Sequence, residues 1–281
     1  MAKVAAGVRQ ELSYVNFTTL ILQNPGSAET RAAMSGVMMM DTPVTVLRCS
    51  LEGLSDLGMV AQIKSGVALV VGTVEFAREA MRLGGFAEPE NLSYPAELTG
   101  FLCRHVMSAR AGQVLGNWFV KPQATKAFTG FLFDTMVGPD SLSEDVRPEY
   151  DAFMALPADA PVWISEPVRF VSEWRFYVRD RQIIGRGRYD SDGADDAPEP
   201  DSEVVESGIR AFGAKHPYAI DFGVLADGQT ALVEVNDAWA IGLYGHAMSQ
   251  RDYVNFLWAR WEGISAPCAV NAESRPRSRK P

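Results

Sequence analysis

Cysteine and histidine are scarce in this chain, each occurring three times in 281 residues. Cys49, Cys103 and Cys268 are far apart, odd in number and without a CxxC pair, which argues against a disulfide framework or a zinc knuckle and for a reducing compartment. His105, His216 and His246 show neither HExxH nor H-x-x-x-H spacing, so zinc chemistry lacks its ligands. There is no GxSxG elbow, no GxxxxGK[ST] loop and no GxGxxG turn, which removes the signatures of serine hydrolases, P-loop nucleotidases and dinucleotide folds. Long apolar runs are missing as well. The most hydrophobic one, VALVV at 67–71, is far too short for a bilayer, and MAKVAAGVRQELSYV has no signal-peptide core. The expectation is a cytoplasmic protein with no membrane partner. A net charge of −9 speaks against a general nucleic-acid binder and requires any phosphate site to be built locally.

What is present is an ordinary apolar content of 47%, enough for two or three modest domains. From about Tyr14 to Gly85, strand-like runs (VNFTTLILQ, PVTVLR, VALVVG) alternate with helix-like segments, which reads as a small α/β unit. Thr73 is placed to cap the helix TVEFAREAMRL, and Gly84-Gly85 to stop it. After a link at 88–94, GFLCRHVMSARAG reads as a helix and QVLGNWFVKP as a strand ending at Pro122. From Pro161 the chain is strand-rich, interrupted by the polar stretch SDGADDAPEPDSE, a mobile loop by composition. Helices are expected from Glu203 to Lys215 and over SQRDYVNFLWARWEGI, the latter with Tyr253, Phe256, Leu257 and Trp261 on one face.

Two hairpins carry the chemistry. In YAIDFGVLADGQTALVEVND, a two-residue Asp227-Gly228 turn sets Asp221 opposite Glu234, with Asn236 on the same face. Like charges directly opposite destabilise a sheet, so the arrangement is either a site for a hard cation such as Mg²⁺ or a solvated hairpin face. In SEWRFYVRDRQIIGRGRY, a turn at Asp180-Arg181 places Glu173 opposite Arg188 and Arg175 opposite Arg186, with Trp174 over Gly187 and Phe176 over Gly185 behind them. Facing guanidinium groups call for an anion, unless they splay into water. In NWFVKPQATKAFTG, Lys121 and Lys126 are cations suited to phosphate or to snorkelling, and Thr129 and Gly130 can let backbone amides approach one.

In chain order these are lysines, a carboxylate with arginines, then a carboxylate pair with asparagine. That order, with VKP…K-x-FTG, SEPV, E-x-R-x-Y-V and IDFGVL-x-DG…LVEVND-x-W-x-x-G-x-YG, resembles the ATP-grasp superfamily and its R-to-K clade, most clearly over residues 94–245. The resemblance implies a mixed α/β (α+β) ATP-grasp fold behind a small pre-ATP-grasp α/β domain. Its parts would be a tail at 1–12, the α/β domain at 13–90, a small subdomain at 91–167, a large subdomain at 168–266 and a disordered basic tail at 267–281.

It also implies ATP and Mg²⁺ as cofactors. Lys121 and Lys126 would contact phosphates, with Thr129 nearby, and residues 165–168, including Glu166 and Val168, would form the adenine hinge. Pro167 has no amide hydrogen, so Val168 supplies any donor there. Glu173 would accept from ribose, and Asp221, Glu234 and Asn236 would hold the metal. Arg175 and Arg188, with Arg186 as a third, would stabilise a transferred phosphate. Trp239, Tyr244 and His246 follow the metal strand and either line an acceptor pocket or pack in the core or loops. The activity implied is an ATP-dependent carboxylate–amine ligase working through an acyl-phosphate on small acids and amines, such as amino acids or peptides. A phosphotransferase and a nucleotide-binding module without turnover are the rivals.

Overall fold

The computed structural model describes residues 16–124, 127–190 and 196–266, and these form three sheets in succession along the chain. In the first, β1 (Thr19–Gln23) lies between β2 (Thr45–Cys49) and β3 (Ala68–Val71), all parallel. Parallel strands need crossovers, here α1 (Ala28–Met38) and α2 (Leu57–Lys64), and α3 (Val74–Gly84) follows β3. Thr73 accepts from the Phe76 amide at the start of α3, and Gly85 ends that helix in the left-handed region at φ 75°.

The second sheet is antiparallel, with β4 (Val106–Arg110), β7 (Pro161–Ser165), β5 (Asn117–Pro122) and β6 (Phe131–Asp134) in that spatial order. Val120, Phe131, Phe133, Val162 and Ile164 face α4 (Arg147–Met154) in one aromatic-rich core, while Phe119, Lys121, Leu132, Trp163 and Ser165 face the other way. The helix expected over GFLCRHVMSARAG is not formed. Leu102, Val106 and Ala109 recur at helical spacing, but antiparallel pairing of Val106–Arg110 with β7 overrides that local pattern.

The third sheet has the order β11-β10-β8-β9, all antiparallel: β8 (Phe170–Arg179), β9 (Gln182–Arg188), β10 (Tyr218–Leu225) and β11 (Thr230–Asp237). One face, with Phe176, Tyr218, Ile220 and Phe222, packs on α5 (Ser202–Phe212). On the other face Tyr177 and Ala219 are buried under α6 (Gln250–Ser265), which also packs on α1 and joins this sheet to the first one. Nearer β7 that same face is open and looks towards Lys121. Among the described residues no helix is long and apolar enough to cross a membrane.

Both hairpin registers depart from simple turns. The β10–β11 loop has three residues, 226–228, with Gly228 at φ 88°, and this alone would slide the strands by one position. A bulge at Val233 restores the register, so Asp221 does face Glu234. The β8–β9 turn has Asp180 and Arg181 at φ 51° and 62°, the expected two-residue geometry, but a bulge at Ile184 then shifts the pairing. Arg175 faces Gly187 and Tyr177 faces Gly185, whereas Arg186 and Arg188 face Phe176 and Trp174. The glycines are needed because the segment after β11 lies directly on them. A Cβ at Gly187 would sit 2.6 Å from the Tyr244 carbonyl oxygen, and one at Gly185 2.6 Å from that of Ala247.

Candidate active site

The open face of the third sheet gathers Glu173 and Arg175 from β8, Asp221 from β10, and Glu234 and Asn236 from β11. Arg175 is 6% exposed and Asp221 fully buried, and they are cross-strand partners. The guanidinium forks onto the carboxylate, Nε to Oδ1 at 2.8 Å and Nη2 to Oδ2 at 2.6 Å. Burial opposes the Arg175 charge, but Asp221 more than offsets this and holds its pKa above that of ordinary arginine. The rings of Tyr189 and Tyr244 lie over the guanidinium, with centroids 5.4 and 5.0 Å from its carbon.

The second carboxylate is also neutralised. Asn236 Nδ2 donates to Glu234 Oε1 at 2.7 Å and to Asp221 Oδ2 at 3.2 Å, and Arg175 Nη2 lies 3.9 Å from Glu234. Lys121 reaches across from β5 and bonds Glu234 Oε2. The result is a row of alternating charge, Asp221, Arg175, Glu234 and Lys121, which links two sheets. Burial pushes the Lys121 ammonium down to about 8. Arg175, Glu234 and Lys121 of this row border a cavity of 760 Å³ between the sheets, lined also by Phe128, Leu132, Val168 and Phe170, with Asp221 buried behind them.

Glu173 lines the cavity, and among the described residues no arginine or lysine is bonded to it. Its Oε2 accepts from the Tyr189 hydroxyl at 2.6 Å, and burial raises its carboxyl above the usual range despite that bond. Burial, followed by the Asp221 and Glu173 charges, raises the Tyr189 phenol as well, so the proton stays on the tyrosine. Glu166 and Val168 border the cavity, but the Glu166 carboxylate accepts from the His105 amide at 3.1 Å. Thr129 and Gly130 line it too. The Thr129 amide is taken by Glu149 Oε2 at 2.6 Å, and Gly130 is required by the Phe119 ring, 2.4 Å from where a Cβ would stand. Lys126 lies outside the described residues, as do both chain tails and Cys268.

Arg186 and Arg188 are not part of this cluster, contrary to the one-face arrangement read from the sequence. The Ile184 bulge turns both to the α5 side. There Arg186 sits over Trp174 and pairs with Glu199 at 2.7 Å, and Arg188 forks onto Asp190 at 2.6 and 2.7 Å. His246 is exposed and is not among the cavity-lining residues, unlike Trp239 and Tyr244.

Sequence reasoning missed Arg104 and Tyr94. Arg104 donates to the carbonyls of Leu232 and Val233 at 2.8 and 3.2 Å, satisfying the backbone that the bulge disrupts. The Tyr94 ring has the Arg104 guanidinium 5.8 Å and the Lys121 ammonium 5.3 Å from its centroid. No periodicity or spacing marks either residue. Only the fold brings them to the site.

Comparison with known proteins agrees with this architecture. No curated protein matches the chain in sequence. Among solved structures it is similar to the D-cycloserine synthetase DcsG, at 14% identity and TM-score 0.54, over 88% of this chain and 99% of that one. It is also similar to N5-carboxyaminoimidazole synthetase from Staphylococcus aureus, at 11% identity and TM-score 0.54, over 88% and 78%. The ATP-grasp ligase PsnB with a minimal precursor aligns at 15% identity and TM-score 0.49, over 87% and 99%. At such low identities the two alignments at TM-score 0.54 show a shared fold and nothing more. Residues 101–255, more than half of the chain, match the ATP-grasp domain of the R-to-K clade, family 2, and the chain therefore belongs to that family of the ATP-grasp superfamily.

Proposed function

We propose that this chain is an ATP-dependent carboxylate–amine ligase, joining a small acid to an amine with release of ADP and phosphate. The observation that carries the reading is the charge row from Asp221 to Lys121, supplied by two different sheets at one cavity of nucleotide size. Phe128, Leu132, Val168 and Phe170 offer apolar surface for a nucleobase next to the 165–168 segment, with Val168 the residue there that can donate an amide hydrogen. Glu173 is within the cavity to accept from ribose hydroxyls, in exchange for its bond from Tyr189.

Glu234 and Asn236 open into the cavity with hard oxygen donors of the kind Mg²⁺ takes, and Glu234 becomes available to an ion as Lys121 leaves it. They would hold the ion, with Asp221 behind them as counter-ion to Arg175, and when bound the ion would neutralise triphosphate oxygens. Lys121 then turns from Glu234 to phosphate. An oxygen of the acid attacks the γ-phosphorus as the bond to the ADP oxygen breaks. The amine nitrogen next attacks the acyl carbon, phosphate departs, and one amine proton is released. Lys121 and Arg175 stabilise the charge that develops, Arg175 being held in place by Asp221 and by the two tyrosine rings. No nucleophilic side chain is required, in keeping with the lack of a Ser/His or Cys/His pair among the described residues of the site.

The test is ADP release from Mg²⁺-ATP with pooled amino acids, small peptides and amines, followed by mass spectrometry of the product. An amide-linked product is expected, and Glu234→Gln should lower turnover by roughly 10²-fold or more. A phosphorylated acceptor would make the chain a phosphotransferase, and nucleotide binding without ADP release would make it a binding module.

A further inference from the structure

Beyond the charge row, at the end of the β8–β11 face away from residues 165–168, the cavity is closed by Trp239, Ala240, Ile241, Gly242 and Tyr244. Val74, the first residue of α3, joins them, since α3 lies against the 238–240 turn. None of these side chains carries a charge. The neighbouring acid, Asp237, is used up: both its oxygens accept from Arg260 at 2.7 Å, and its side chain is 6% exposed. Glu90 borders the cavity elsewhere, beside Asn91, whose side chain is bonded to Gln123 just past β5. Glu29 approaches Gly242 but is not among the lining residues.

Part of the backbone of this wall is committed to the core as well. The Trp239 carbonyl accepts from Trp261 Nε1 at 3.1 Å, and the Ile241 carbonyl from the Tyr253 hydroxyl at 2.6 Å. The Gly242 carbonyl accepts from the Tyr177 hydroxyl at 2.7 Å, and the Tyr244 amide donates back to that hydroxyl oxygen at 3.1 Å. Four main-chain polar groups are thus satisfied by aromatic side chains of the core. A ligand lying on this wall meets mainly carbon surface and no side-chain charge, so an ionic group buried there would lose its hydration without a counter-charge.

We infer that this wall receives the non-reacting part of the acid substrate, and that this part is uncharged and apolar: a carboxylic acid with an aliphatic or aromatic side chain, in preference to a di-acid or a basic amino acid. The inference rests on the ligase reading for the orientation of the acid, with its carboxylate towards Arg175. It does not depend on turnover for its test.

The full chain, loaded with Mg²⁺ and a non-hydrolysable ATP analogue, is titrated by calorimetry with leucine, phenylalanine, glutamate and lysine. ADP release with ATP and a mixed amine pool is measured in parallel on the same acids. Leucine or phenylalanine should bind at least tenfold more tightly than glutamate or lysine. Ala240→Asp should lose that preference and gain lysine, with nucleotide affinity reporting that the variant is folded. Glutamate or lysine binding as well as the apolar acids, or no binding by any of the four, overturns the inference. Binding of the apolar acids without ADP release upholds the subsite and sinks the ligase reading instead.

Discussion

Replacing Asp221 with alanine should destabilise the protein even in metal-free buffer, because it strands a guanidinium in an enclosed place. Arg175 is 6% exposed, and Asp221 takes both its Nε and Nη2 hydrogens at 2.8 and 2.6 Å. Truncating one partner of such a buried pair costs about 3–5 kcal/mol. Glu234, 3.9 Å from Nη2, takes up part of the abandoned charge, which places the expectation at the lower end, about 3 kcal/mol. With a urea slope of about 2–3 kcal/mol per molar, the unfolding midpoint should fall by roughly 1–1.5 M. The paired variant Asp221→Leu with Arg175→Met should recover most of that loss, since removing both charges abandons neither. The opposite expectation follows if Asp221 is mainly a metal ligand. In that case its carboxylate repels Glu234 whenever the ion is absent, and alanine would relieve the repulsion. A midpoint that stays level or rises without Mg²⁺ would therefore refute the counter-ion role.

Three further outcomes follow from the geometry. Lys121 is held near 8 by burial, so it is charged below that pH and loses its proton as the pH rises through it; ATP affinity should fall about tenfold per pH unit above 8 in the wild type and stay flat in Lys121→Arg, as measured by nucleotide titration across pH. Tyr177→Phe removes one hydroxyl that serves both Gly242 and Tyr244, leaving two part-buried main-chain groups without that partner at about 1 kcal/mol. The acid KM should rise while ATP affinity holds, and steady-state kinetics with each substrate varied in turn would separate the two. Arg186→Ala and Arg188→Ala should each lower ADP release by no more than about threefold, since both face away from the cavity; a hundredfold loss in either would return it to the site.

The carboxylate pair was read correctly from sequence because two departures cancel: the loop has three residues where a two-residue Asp-Gly turn is expected, and the bulge at Val233 restores the pairing that such a turn would give. The arginines were not, because nothing in RQIIGRGR announces that Ile184 will bulge; each residue after it then exchanges faces. GRG was legible in a different sense. Its glycines do mark close backbone approach, but by the Tyr244 segment and not by the aromatics of β8. The misread helix at 100–112 shows the limit of periodicity in short apolar stretches, where pairing partners far along the chain decide the outcome. Arg104 and Tyr94 gain their places from the third sheet and the link before it, and no local pattern encodes such a meeting.

The bulge at Val233 seats an extra residue between Leu232, which packs on the α5 side, and Glu234, which faces the cavity, and it presents the Leu232 and Val233 carbonyls to Arg104. The loop at 226–228 can therefore change length with Leu225 kept opposite Gln229 and the carboxylates unmoved, whereas deletion of Val233 straightens β11 and takes away a carbonyl that Arg104 holds. Among descendants of this hairpin, length should vary at the turn and stay fixed at the kink.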